Sequence, residues 1–440
     1  MRLVTEENKV EIKARIEFKE SVPHIIKYMG SKRDLVKYIV DSINEIYNGE
    51  AVCDLFAGTS ILSGAIGHNI KMYSNDIQEY SSVFARTYLG DYNWEEYPDL
   101  LDNIIRGAQV HVDNVRELYP DLEFQYEDDI TLNEFNALEQ QQQELIYFEF
   151  EDVEHHLFIK NYSGTYWSFE QCLWIDAIRT IAEEYSGTPV YYPILSSLMF
   201  AMAYNAQSTG HYAQYRDASN LESMNSIIGC RNKRIVPYFK KKLKELIRFT
   251  GPSELNHNIS SLDYRDCLNI LPEGTLVYAD PPYSFVHYSR FYHALETLVK
   301  YDYPTVQYKG RYRNDRHQSP FCKRTEVVGA FTEMFEKVLE RRLKLVLSYS
   351  NTGMISLDEI LSIAKSTLDD KFEESIEKGT YARRDTAAVA TAIAQRRGET
   401  DFSSGNKKTG KGVGKGARVR DTLAAAIDAK HGPGSYPGTA

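Results

Sequence analysis

Apolar residues recur at helical spacing through Leu35, Val36, Ile39, Val40, Ile43 and Ile46, which predicts an amphipathic helix near the start of the chain. Residues 51–56 then form a short apolar run closed by the turn Ala57-Gly58-Thr59-Ser60, the pattern of a buried strand. A helix opens at 61–66, and residues 71–76 read as a second strand ending on an acid. Residues 51–90 are therefore expected to form one β-turn-α-β-α unit, the beginning of a doubly wound sheet.

The pattern is less regular over 91–255. Residues 168–185 predict a helix with Leu173, Trp174, Ile178 and Ile181 on one face, and 192–204 an apolar helix. Gln140 to Gln143 lie in a Glu-rich stretch that reads as a solvated helix, and 205–215 as a polar, Gly-centred loop. Strand signals return at 274–279, which run into two prolines; proline lacks the amide hydrogen a strand needs, so the strand stops there. A helix over 325–339 and a strand within 341–349 follow. These breaks divide the chain into a polar lead-in (1–23), a first α/β half (24–90), a helical middle (91–255), a second α/β half (256–378) and a tail (379–440).

The tail carries 11 Lys/Arg and 5 Asp/Glu over 380–440, although the whole chain has a net charge of -11. It holds few large apolar residues, so it is expected to be disordered or poorly packed. The acidic balance excludes a globally basic nucleic-acid binder and confines any phosphate contact to local patches. The five cysteines are widely spaced with no CxxC, which argues against a zinc site or a disulfide framework; no metal is expected, and a reducing cytoplasm fits. No apolar run is long enough for a membrane helix, and no secretory leader is seen.

The strongest chemical signal is Asp280-Pro281-Pro282-Tyr283 at the end of a buried strand. An exocyclic amine conjugated to an aromatic ring is a poor nucleophile. Two acceptors facing its two N–H bonds, the Asp280 carboxylate and the Pro281 carbonyl held by fixed φ angles, would localise the nitrogen lone pair. Tyr283 could stack on a base taken out of a duplex.

This tetrad resembles the fourth motif of the amino-methyltransferases in its adenine-N6 form. Lys27-Tyr28-Met29-Gly30-Ser31-Lys32 resembles the N-terminal motif of the Dam-type (alpha-group) DNA adenine methyltransferases, Asp54-Leu55-Phe56-Ala57-Gly58-Thr59 their first cofactor motif, and Asn75-Asp76-Ile77 their second. The motifs follow one another in that family's order, and the likeness covers about residues 24–365.

The resemblance implies an α/β fold: a doubly wound, mostly parallel Rossmann-like methyltransferase sheet with an inserted helical target-recognition domain over 91–255. It implies a site-specific DNA methyltransferase that takes S-adenosylmethionine and double-stranded DNA. It also implies a cytoplasmic enzyme, bacterial or phage-encoded, that acts as a monomer or weak dimer beside a separate cognate restriction endonuclease. Residue by residue, Tyr28, Gly30 and Lys32 would pack over the cofactor and pair with its carboxylate, and Asp54 would take its amino group. Phe56, Ala57, Gly58 and Thr59 would form its loop. Asp76 and Ile77 would meet the ribose, and Asp263 and Tyr264 the adenine. Ser60 stands where the family has a second glycine, which puts the detail of these contacts in question.

Two basic stretches are candidates for DNA contact: Arg231, Lys233 and Arg234, leading into the Lys-rich 240–248; and Lys309, Arg311, Arg313 and Arg316, interleaved with aromatics. Phe291-Tyr292-His293 is a candidate support for the extruded base. The rival readings are a cytosine-N4, RNA or protein-glutamine methylase, which more often lack Asp at position 280, and an inactive DNA-binding protein of the same fold.

Overall fold

The computed structural model describes residues 14–367 apart from 209, 286, 351 and 352, together with the backbones of two further strands, Phe372–Ser375 and Ala392–Arg396. In chain order, the first half contains α1 (Val36–Ile46), β1 (Val52–Asp54), α2 (Ile61–Ile66), β2 (Met72–Asn75) and α3 (Glu79–Leu89). Seven helices follow: α4 (Leu100–Leu118), α5 (Leu132–Glu144), α6 (Leu157–Tyr162), α7 (Phe169–Glu183), α8 (Tyr191–Asn205), α9 (Leu221–Arg231) and α10 (Ile235–Phe249). The second half has β3 (Asn258–Ser260), α11 (Tyr264–Ile270), β4 (Leu276–Ala279), α12 (Tyr288–Phe291), α13 (His293–Lys300), β5 (Val306–Gln307), β6 (Tyr312–Arg313), α14 (Val327–Glu340), β7 (Lys344–Leu347) and α15 (Leu357–Thr367). The two further strands are β8 and β9.

The main sheet runs β3-β2-β1-β4-β7-β9-β8. The first five strands are parallel, and β9 and β8 join antiparallel. This is the mostly parallel α/β fold expected from the sequence. Side chains alternate between two apolar layers. Val52, Leu276, Tyr278 and Val346 face one core with α1, α3, α8 and α10, and Cys53, Val277, Ala279, Leu345 and Leu347 face the other with α11 and α14. Burial on both faces explains why these strands read as unbroken apolar runs.

Several helix starts are written locally. Thr131 with Glu134 and Ser168 with Gln171 form capping boxes at the starts of α5 and α7. The helical middle shares the core of the sheet's first face: Leu157, Trp167, Ile178, Leu198 and Phe239 belong to the same apolar cluster as Val52 and Leu276.

The tail lies outside the described residues except at β9, whose Ile393 and Ala394 pair with Val346 and Leu345 of β7. At that point a strand occupies the tail, where the sequence had led to an expectation of disorder or poor packing. Among the described residues no helix is long and apolar enough to cross a membrane.

Candidate functional site

The strand order reverses between β1 and β4: the chain leaves β1 toward β2 and β3 on one side, while β4 leads to β7 on the other. Loops diverging from the carboxyl ends of such a pair leave a crevice between them. A cavity lies there, and it gathers Tyr28, Gly30, Lys32, Asp54, Phe56, Ala57, Gly58, Thr59, Asp76, Ile77, Asp263, Tyr264 and the tetrad Asp280-Pro281-Pro282-Tyr283. All the cofactor and catalytic candidates named from the sequence therefore share one wall system, although 255 positions separate Tyr28 from Tyr283.

Asn75 ties the crevice together. Its amide nitrogen donates to the carbonyls of Leu55 and Leu262, and its side-chain oxygen accepts from Leu262 N and Ser260 Oγ. The first loop turns through Gly58 (φ +53°) and Ser60 (φ +53°), both left-handed. A side chain on Gly58 would meet the Tyr28 ring at 3.3 Å, so the glycine sets how closely the N-terminal motif covers the loop. Ser60, standing where the family carries glycine, adopts the glycine-like conformation anyway. Its hydroxyl donates to Ser81 O at 3.1 Å, which offsets part of a cost of about 1–2 kcal/mol.

Electrostatics decide what the cavity can hold. Asp54, Asp76 and Asp280 converge, with Lys32 as the ammonium that pairs with one of them. Burial raises all three carboxyls above their usual range; Asp54 also feels Asp280 and Asp76, while backbone N–H groups of Gln78 and Gly58 partly hold Asp76 down. Lys32 Nζ sits 2.7 Å from Asp280 Oδ2. The lysine thus pairs with the tetrad aspartate, whereas the resemblance assigned it to the cofactor carboxylate. Asp76 Oδ2 accepts from Gly58 N and Oδ1 from Gln78 N, both at 2.9 Å, which fastens the first cofactor loop to the second. Three acids against one lysine favour a cationic guest, and the apolar walls of Phe56, Ile77, Leu262 and Pro320 suit its uncharged parts. A sulfonium-bearing nucleoside fits this donor set.

Asp263 and Tyr264 line the cavity and are also structural. Asp263 caps α11 by accepting from Arg265 N, and Tyr264 is buried beside Phe56 and Phe321.

The sequence reading missed His287, Tyr288, His317, Ser319 and Pro320, which complete the wall beyond Tyr283. Tyr288 and Tyr292 stack on Tyr28 at 5.4 and 4.5 Å, and the Tyr292 hydroxyl accepts from Met29 N. The aromatic spacing after the tetrad was the only available signal, and by itself it reads as core.

Three DNA candidates are corrected. Arg231 is buried, its guanidinium on Glu139 and the Thr165 carbonyl. Arg311 is buried and donates to the carbonyls of Asn161 and Gln143. Arg313 is 3% exposed and clamped by Asp302 and Asp315. Desolvated guanidiniums with protein partners present nothing to a phosphate. Phe291, Tyr292 and His293 are likewise core, with His293 Nε2 2.8 Å from Tyr212 O; burial lowers its imidazole pKa to about 3. The Gln-rich helix α5 is not solvated all round, since Gln142 and Glu139 are buried.

Arg234 remains exposed, Lys309 pairs at the surface with Asp217, Lys233 donates to Tyr204 O, and Arg316 lies over the Tyr312 ring. Gln207 fixes the polar loop by bonding Thr165 O and both backbone groups of Arg216. The described residues contain no cluster able to hold a metal ion.

The family model for D12 class N6 adenine-specific DNA methyltransferases matches residues 28–353. Among curated relatives, the type II methyltransferase M.NlaIII of Neisseria lactamica is 24% identical over 351 residues, 77% of this chain and 87% of that protein. Modification methylase LlaI of Lactococcus lactis subsp. lactis is 24% identical over 374 residues, and type II methyltransferase M.FokI of Planomicrobium okeanokoites 25% over 359. The matched part spans 52% and 47% of those two proteins, about half their length.

Proposed function

We propose, for a chain that belongs to the D12 class of N6 adenine-specific DNA methyltransferases, that it methylates N6 of an adenine swung out of a specific double-stranded site, as the modification half of a restriction–modification system. The observation that carries the reading is the Asp280 carboxylate: half-buried, held by Lys32 on one oxygen, and facing the cavity where every cofactor motif meets.

S-adenosylmethionine, the methyl donor of this family, supplies an electrophilic methyl group when bound. The chain's own residues do the rest. Asp54 and Asp76 balance the donor's positive charge, and Tyr28 closes over the Gly58 turn. Lys32, paired with Asp280 Oδ2, opposes the burial that raises this carboxyl and so favours its ionised form toward the base. Asp280 and the Pro281 carbonyl accept the two N6 hydrogens and compensate the charge that develops on nitrogen. Tyr283 stacks on the base, with His287, Tyr288 and His317 around it. Burial, with Arg316 and Lys323 nearby, lowers the His287 imidazole pKa, against Glu326, which pairs with Lys323. Arg234, Lys233, Lys309 and Arg316 are the phosphate contacts of this reading. A cognate endonuclease would recognise the same site, as the names of the modification methylase relatives suggest.

The test is transfer of labelled methyl from S-adenosylmethionine to genomic DNA lacking methylation, with Asp280→Ala alongside and nucleoside analysis of the product. N6-methyladenine from the parent and none from the variant is expected. Label only in RNA or protein, or in N4-methylcytosine, would overturn it.

A further inference from the structure

Asp280 Oδ2 is held by Lys32, but its other oxygen is buried with no partner at hydrogen-bonding geometry. Of the other buried side-chain oxygens in that condition, two belong to the ends of the adjoining strands β4 and β7: Tyr278 Oη and Ser348 Oγ. They are neighbours by construction of the sheet. Tyr278 and Asp280 are two positions apart at the end of β4, so they point to the same face. Ala279 pairs with Leu347 in the parallel register, which sets Ser348 beside Asp280, and Ser348 N donates to Ala279 O at 2.8 Å. Ser348 is 2% exposed and lies outside the cavity lining, so it touches neither base nor donor.

An unpartnered buried polar group costs about 1–3 kcal/mol, and three in one spot is a poor arrangement unless they serve one another. Hydroxyl hydrogens rotate freely, so a small turn of each side chain links them. A carboxylate oxygen has two lone-pair directions; Oδ1 can accept a hydroxyl from behind and an amine from the cavity.

We propose that Ser348 is a positioning residue for methyl transfer: its hydroxyl, backed by that of Tyr278, holds Asp280 Oδ1 from behind and fixes the carboxylate plane that meets the exocyclic amine. The inference rests on the reading of Asp280 as the amine's acceptor. Ser348 lies within reach of both groups and favours the ionised form of each, opposing the burial that raises the Asp280 carboxyl. The other groups acting on that carboxyl are Lys32 from the N-terminal motif, Asp54 from β1, and the Tyr278 and Tyr288 phenols.

The experiment compares the full-length parent with Ser348→Ala and Tyr278→Phe, each of which removes one hydroxyl without adding bulk; thermal denaturation checks that both fold. Ser348→Ala should lower kcat about tenfold, the effect of one hydrogen bond to a charged group, with S-adenosylmethionine binding unchanged. Its acid limb should move to higher pH, because less of Asp280 is ionised at a given pH. Tyr278→Phe should move both in the same direction by less. In parallel, NMR of 13Cγ-labelled aspartate, with Asp280 assigned through Asp280→Asn, should show that carboxyl titrating at higher pH in Ser348→Ala. The NMR result is independent of turnover, so failure of the parent to methylate DNA sinks the proposed function without deciding this point. An unmoved Asp280 titration, or a lower kcat with an unmoved acid limb, would overturn the inference.

Discussion

Replacing Arg231 separates a structural cation from a DNA contact. Its guanidinium side chain has no exposure and that of Glu139 is 10% exposed. Nε donates to Glu139 Oε1 at 3.2 Å, and a terminal nitrogen donates to Oε2 at 2.5 Å and to Thr165 O at 2.8 Å. Glu139 also accepts from the Tyr126 hydroxyl, which in turn accepts from Gln142. In Arg231→Met the glutamate is left buried without its countercharge, and breaking such a pair from one side costs about 3–5 kcal/mol. Urea unfolding should show a loss of that size, and adding Glu139→Gln should restore part of it, because the two changes act on one interaction. Binding to a DNA duplex across a salt series should keep its slope. A phosphate contact would behave oppositely: stability within about 0.5 kcal/mol of the parent, and a slope of log K against log salt shallower by about 0.9. That result would refute the assignment of Arg231 to the fold.

Gly58→Ala forces a side chain onto a left-handed residue and against the Tyr28 ring at 3.3 Å, at a cost of about 1–2 kcal/mol; calorimetry should find S-adenosylmethionine bound about tenfold more weakly, and unchanged affinity would count against this loop as the donor site. Lys32→Met removes the 2.7 Å pair that opposes burial at Asp280, so that carboxyl rises further. Transfer needs it ionised, so the acid limb of kcat/KM should shift to higher pH; a limb that stays in place would refute the pairing. Asp176, inside the helical middle, is pushed up to about 7 by burial, against its hydrogen bonds to Tyr301, Ile159 and Phe158. The folded chain then binds the proton more tightly than the unfolded one, so this residue's contribution falls as pH rises from about 4 to about 7. Asp176→Asn should flatten the stability profile in that window, and a slope identical to the parent's would contradict it.

The parallel strands that carry the motifs, and the cofactor side of the cavity, were legible in the sequence. β1, β4 and β7 are buried on both faces and each reads as a short, largely apolar run, while β2 is marked by the acid at its end. Gly58, Asp76 and the tetrad stand at strand ends, where backbone conformation and chemistry restrict residue choice locally. Tertiary structure alone decided which charges are free. Arg231, Arg311 and Arg313 look like their exposed neighbours in the sequence, because their burial depends on Glu139, on the carbonyls of Asn161 and Gln143, and on Asp302 and Asp315. The same holds for the cavity's far wall: His287, Tyr288 and His317 become wall residues only when α12 packs on Tyr28 and brings them across from Asp54. Strand pattern is set by residues next to one another in the chain. The solvation of Arg231 and Arg311 is set by segments more than 90 positions away, and even the near partners of Arg313, Asp302 and Asp315, close on it only when the chain folds.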